Sequence, residues 1–181
     1  MYVVPLTRAY RQMLDAAYLL AQRVVDESGP EAVGWLLAHA TCYDDLLVAA
    51  ATDLADGKPV IIDNAPAMCM NRLGVVVAEH NLHDLIRLAA GLADRVVGAV
   101  AAIPPSLGDR LVQVRLTNRN ERRVFDEPMR WSDILAFHTE EELPRRTATL
   151  RELARQPGIC RPIARRARRC DAGPGPTVRP G

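Results

Sequence analysis

The chain has 181 residues, of which 49% are apolar and 25% charged, and its formal net charge is +1. That length is enough for one domain with a core of its own, and the balance excludes a collagen-like or low-complexity chain. No run of eighteen apolar residues is present, which excludes a membrane-spanning helix, and basic charge is concentrated in Arg161, Arg165, Arg166, Arg168 and Arg169, which leaves the remainder acidic.

The opening segment MYVVPLTRAYRQ lacks a basic stretch followed by an apolar core and a cleavage site, so no secretion signal is read there and a cytoplasmic protein is expected. Ala9, Met13, Ala16/Ala17, Leu20 and Val24 recur at helical spacing and predict a first helix over 6–27, stopped by Ser28-Gly29-Pro30. Pro30 suits the first turn of a second helix, which runs to about Asp56 with Gly57 as its stop. Trp35, His39, Cys42, Tyr43, Leu46 and Ala50 share one stripe of that helix, expected to face the interior. Thr41, Asp45, Val48 and Thr52 form a more polar one.

Residues 58–65 read as an extended crossing loop, and Asn64 or Pro66 as the start of a short helix to about Val77. Asn81, with Asp84 three residues on, is a good N-cap. The third long helix that follows carries Leu82, Leu85/Ile86, Ala89, Leu92, Val96 and Val100, and Ile103-Pro104-Pro105 ends it. The alternation of residues 111–116, a turn-like stretch at 117–120 and a return at 123–125 predict a small β-hairpin. Ser132 is expected to cap a last helix bearing Ile134, Leu135, His138, Glu142, Leu150 and Leu153, with Pro144 kinking or splitting it. Beyond residue 156 the chain is rich in Arg, Pro and Gly and poor in core residues. The sum is an all-α four-helix bundle over 1–156, with the hairpin inserted before the last helix, and a disordered tail over 157–181.

His138 and Glu142 stand four apart on a predicted helix, so both project from one face and could chelate a divalent metal. His39 could supply a third ligand, leaving a position open for water or a thiolate. Such pairs also arise by chance: His80 and Asp84 repeat the spacing near a helix start, and a histidine on an apolar stripe is commonly a core residue. Cys42, one turn from His39, reads as a further ligand, a reactive thiol or an inert buried cysteine. Trp35 and Tyr43 read as pocket walls or as core packing. Cys42, Cys69, Cys160 and Cys170 show no CxxC spacing and are expected as reduced thiols. Asp44 and Asp45 read as a solvated face, or as partners of a ligating histidine. The arginine-rich tail is read as solvated, because no aromatic residue interleaves it and no nucleic-acid-binding fold precedes it.

Val33-Gly34-Trp35-Leu36-Leu37-Ala38-His39-Ala40-Thr41-Cys42-Tyr43-Asp44-Asp45 is similar to the second helix of the DinB-like superfamily, where a Leu-Leu-Ala-His-like string presents the first metal ligand. Met129 to Leu143 is similar to the last helix of that group, where His-x-x-x-His is usual. The superfamily includes mycothiol-dependent maleylpyruvate isomerases and bacillithiol transferases. The resemblance covers roughly residues 6–155. It implies a zinc or nickel site of His39, His138 and Glu142, with Glu142 standing where a third histidine is usual, and a thiol such as mycothiol in an actinobacterial host. It further implies a metal-dependent, thiol-using transferase or isomerase acting on a small molecule. Two other readings stand beside it: a non-catalytic small-molecule-binding or self-resistance protein on the same bundle, and a metal-free structural bundle that dimerises through the surface around Leu85–Val100.

Overall fold

A computed structural model describes residues 2–23, 31–118 and 120–155. The expected tail over 157–181, with Cys160, Cys170 and the arginine cluster, lies outside the described residues, as does the predicted stop at residues 28–30. The described part is mostly helical, with one small sheet. Among the described residues no helix is long and apolar enough to cross a membrane.

Helix α1 spans Val3–Ala21 and buries Leu6, Ala9, Tyr10, Met13, Ala16, Ala17 and Leu20 on one face. It starts earlier than its periodicity suggests because Pro5 falls in the first turn, where its missing N–H has no intrahelical acceptor to lose. Helix α2 spans Glu31–Ala55. Gly57 ends it at φ +72°, and the N–H groups of Gly57 and Lys58 close onto the carbonyls of Leu54 and Asp53, the left-handed stop that favours glycine. The face of α2 that is most deeply buried is not the expected stripe. It runs through Val33, Leu37, Ala40, Asp44, Leu47, Ala51 and Leu54, whereas of the expected stripe Cys42 and Ala50 are buried and Trp35, His39, Tyr43 and Leu46 are only half-buried.

Residues expected as a crossing loop contain a strand, β1 (Ile61–Asp63), followed by helices α3 (Ala65–Met68) and α4 (Met70–Glu79), which break at Cys69. Helix α5 spans Leu82–Ala102, and the Asn81 side chain accepts from the Asp84 N–H at 2.9 Å, as its cap position predicts. Strands β2 (Leu111–Thr117) and β3 (Arg123–Arg130) form the predicted hairpin, but β3 is longer than expected. Strand β1 pairs parallel with β2, Ile62 opposite Val114, so the hairpin is part of a three-stranded sheet in the order β1-β2-β3. One face sends Ile62, Val112 and Val114 into the core. On the strands' other side Arg123 bridges Asp63 and Asp126 at 2.9 and 3.3 Å.

Asn64 fastens the sheet to α3. Its Nδ2 donates to the Thr117 carbonyl at 3.2 Å, its Oδ1 accepts from the Thr117 N–H, and its own N–H donates to the Arg115 carbonyl. The side chain thereby copies a peptide group and extends the parallel ladder by one residue.

The last helical segment opens as α6 (Trp131–Phe137), passes through one π turn (His138–Glu142) and continues as α7 (Leu143–Arg155). Ser132 is not the cap. Its N–H donates to the Gly108 carbonyl and that of Trp131 to the Arg110 carbonyl, so the turn after α5 satisfies the helix start with backbone groups. The π turn follows from Pro144, which has no N–H to give and whose ring crowds the carbonyl four residues back. Helices α2 and α5, α1 and α7, and α1 and α5 pack against each other around one apolar core.

Replacing Asn64 by Ala removes both side-chain bonds to Thr117. A loss of about 1–3 kcal/mol in urea unfolding is expected. An Asn64→Asp variant should lose a similar amount, because a carboxylate would face the Thr117 carbonyl. Stability within about 0.5 kcal/mol of wild type in both would contradict the fastening role assigned to Asn64.

Candidate functional site

A cluster of polar and aromatic side chains lies inside the bundle where α1, α2 and the π turn meet. It comprises Tyr10 from α1, Tyr43 and Asp44 from α2, and His138, Glu142 and Arg146 from the last helical segment. Asp44 and His138 are fully buried and Arg146 is 5% exposed.

The His138 ring is held at one edge and on one face. Its Nε2 lies 2.9 Å from the Tyr10 hydroxyl, and the Tyr43 ring stacks on it at 5.6 Å between centroids. Its Nε2 is also 3.6 Å from Asp44 Oδ1. The Arg146 guanidinium stands 3.6 Å from the carboxylates of both Asp44 and Glu142, and 5.6 Å above the Tyr43 ring. Glu142 also takes an ion pair from the exposed Arg145 at 2.6 Å. These spacings place one fixed positive charge between two acids, with an aromatic face beneath it, an arrangement suited to guanidinium.

Burial sets the protonation of the cluster. It raises the Asp44 carboxyl to about 6 despite the opposing pull of Arg146, and lowers the His138 imidazole to about 3, with Arg146 adding to that shift. Burial also pushes the Tyr43 hydroxyl up to about 12 and the Tyr10 hydroxyl well above its ordinary range. At pH 5 these shifts favour a protonated His138 and an ionised Asp44 in the unfolded chain, and a neutral His138 and a protonated Asp44 in the folded one.

Of the three residues expected to bind metal, His138 and Glu142 both belong to this cluster, but the π turn rotates them apart. His138 points to Tyr10, and Glu142 points to Arg145 and Arg146. His39 lies against Met68, its Nε2 3.3 Å from the sulfur. Among the described residues no three His, Cys, Asp or Glu side chains are grouped so as to hold a metal ion. The side chains present do not suit a divalent ion: the position between the two carboxylates is held by a guanidinium that never loses its charge, and the imidazole nitrogen nearest them is engaged by Tyr10.

The residues expected to wall a pocket also divide. Trp35 and Cys42 pack with Ala38, Ala67 and Leu73 in a second, smaller cluster under α3 and α4. Tyr43 touches both clusters and joins them. Asp45 is exposed and pairs with Arg95 at 3.5 Å, whereas its neighbour Asp44 is the buried acid. Beside the polar cluster, a groove of about 270 Å³ runs between α1 and the π turn, lined by Val4, Arg8, Gln12, Thr139, Glu140 and Pro144 among others. The Thr139 hydroxyl is buried there without a hydrogen-bond partner among the described residues. No family model, curated protein or solved structure matches the chain.

The opposite shifts of Asp44 and His138 give a specific pH signature. The raised Asp44 contributes stability that is complete below its ordinary 3.8 and is lost as pH rises through about 6. The lowered His138 contributes stability that is complete above its ordinary 6.5 and is lost as pH falls through about 3. Between pH 4 and 6 the two slopes largely cancel, so the urea midpoint of the wild-type chain should be nearly flat. His138→Gln should lose stability as pH rises across that window, and Asp44→Asn should lose it as pH falls. Parallel profiles in all three proteins would contradict the assignment.

Proposed function

We propose that this chain is a non-catalytic, small-molecule-binding protein of the DinB-like kind, a four-helix bundle that carries Arg146 as its internal cation. The observation that supports this reading is the guanidinium 3.6 Å from both Asp44 and Glu142. A metal in a thiol-using enzyme serves to lower the pKa of a bound thiol and to polarise the substrate. Arg146 supplies charge at that place but has no open coordination position. The nearby protein thiol, Cys42, is pushed up by burial rather than activated.

The groove between α1 and the π turn offers the ligand a place beside this cluster. Arg8 and Gln12 would meet an acceptor group, and Val4, Pro5, Ala9 and Pro144 would cover an apolar body. A small amphipathic molecule with one anionic or carbonyl end fits that lining.

The test combines elemental analysis with thermal unfolding across a panel of small amphipathic carboxylates and carbonyl compounds. The purified chain should hold well under one equivalent of zinc or nickel, and at least one compound should raise the unfolding temperature by several degrees, unaffected by chelator. Arg8→Ala should weaken that shift. One tightly held zinc or nickel per chain, lost in both His138→Ala and Glu142→Ala, would return the chain to the metal-dependent transferase or isomerase reading.

A further inference from the structure

The groove at the π turn continues over Arg8 into another groove, of about 300 Å³, along the first half of α1. Val3, Val4, Thr7, Arg8 and Arg11 line this second groove, and Val4 and Arg8 belong to both. Resting on the functional reading above, we propose that the ligand is a small phosphate monoester. Its phosphoryl group sits on Arg8 and Arg11, and its apolar body lies in the groove at the π turn.

The two arginines carry the inference. They stand three apart on a helix, so their side chains are neighbours and repel each other. Among the described residues neither guanidinium has an ion pair or a hydrogen bond, and neither Asp15, one turn beyond Arg11, nor Glu140, on the π turn, is paired with them. On α7, by contrast, Arg145, Arg146 and Arg155 are each held by an acid. Two adjacent cations on the walls of one groove, with no acid between them, attract an anion that relieves their repulsion.

The linings set which end of the ligand goes where. No acid lines the arginine groove, whereas Glu140 lines the groove at the π turn. The anionic end is therefore favoured in the former. The body is favoured in the latter, against Val4, Pro5, Ala9 and Pro144.

Charge and shape select the group. A carboxylate has one charge and two oxygens, which a single guanidinium satisfies as a fork. A phosphate monoester carries a charge of about −1.5 to −2 at pH 7 and three terminal oxygens, enough to engage both arginines. The Thr7 hydroxyl donates to the Val3 carbonyl at 2.7 Å, so recognition falls to the guanidinium groups. No bond in the ligand is made or broken.

The experiment is a calorimetric titration of the full-length chain near pH 7.5, where a phosphate monoester is mostly a dianion, with phenyl phosphate, benzoate and inorganic phosphate. Phenyl phosphate should bind one per chain and about tenfold or more tightly than benzoate, which has the same ring. Arg11→Gln should remove most of that preference and leave benzoate within about twofold of its wild-type affinity, whereas Arg8→Gln should weaken both. Both arginines are exposed, so the unliganded variants should unfold near the wild-type temperature. The tail variant Arg165→Gln/Arg166→Gln should bind phenyl phosphate as wild type does. Equal affinity for phenyl phosphate and benzoate, or a preference that survives Arg11→Gln or is lost in the tail variant, would overturn the proposal. So would capture by phosphatidic acid vesicles that depends on Arg11, which would assign the phosphate to a lipid headgroup. If benzoate binds through Arg8 and phosphate adds nothing, the functional reading stands and only the phosphate assignment falls. If inorganic phosphate binds as tightly as phenyl phosphate, the groove at the π turn takes no apolar body and both readings fall.

Discussion

A guanidinium buried between two carboxylates and an aromatic ring constrains everything around it. Removing such a charge from water costs several kcal/mol unless its partners are fixed in place, and here they come from two different elements. Asp44 is supplied by α2, Glu142 by the preceding turn of Arg146's own helix, and Tyr43 lies beneath the cation. The same cluster reaches α1 through the Tyr10 hydroxyl on His138. Three helices are therefore registered against one another by polar contacts, in a core built mainly of Leu, Ala, Val and Ile, with Met13 and Trp131. Apolar packing alone tolerates sliding. A charge that must meet two acids does not.

The π turn is what makes this geometry available. With Pro144 in the chain, an uninterrupted α-helix would lose a hydrogen bond and suffer a clash one turn earlier. Widening the turn at His138–Glu142 accommodates the ring and turns His138 inward toward Tyr10, while Glu142 stays near the surface at 15% exposure and meets Arg145 and Arg146. The local irregularity and the absence of a shared His138/Glu142 chelate are thus two consequences of one proline. On α2, Tyr43 touches both the charged cluster and the apolar cluster holding Cys42, so the buried acid Asp44 and the buried cysteine lie on different sides of a single helix.

Much of the fold was legible in the sequence because helical spacing of apolar residues is a direct image of a buried face. The three long helices, the Asn81 cap, the Gly57 stop and the hairpin follow from local chemistry. Strand β1 does not, because three residues carry too little pattern and become a strand only through register with β2, fixed by Asn64. The site was half legible. His138, Glu142 and Tyr43 were singled out, and Asp44 was read either as part of a solvated face or as a partner of a histidine, but Arg146, which pairs with Asp44 and Glu142, was not. A signal for Asp44 existed: it stands at helical spacing among Val33, Leu37, Ala40, Leu47 and Leu54, where an acid must find a cation. Arg146 offered less, since an Arg four residues after a Glu is ordinary on a solvated helix face, and only tertiary contact reveals that this one is buried.

A double-mutant cycle between Asp44→Asn and Arg146→Met, read by urea unfolding near pH 7, tests the central claim most directly. If Arg146 is the internal cation of the cluster, its loss alone leaves buried acid unpaired and should cost about 3–5 kcal/mol. The double variant should recover a large part of that loss, with a coupling energy of about 2 kcal/mol or more. Additive losses, with coupling below about 0.5 kcal/mol, would show that the two groups do not act on each other and would contradict the account.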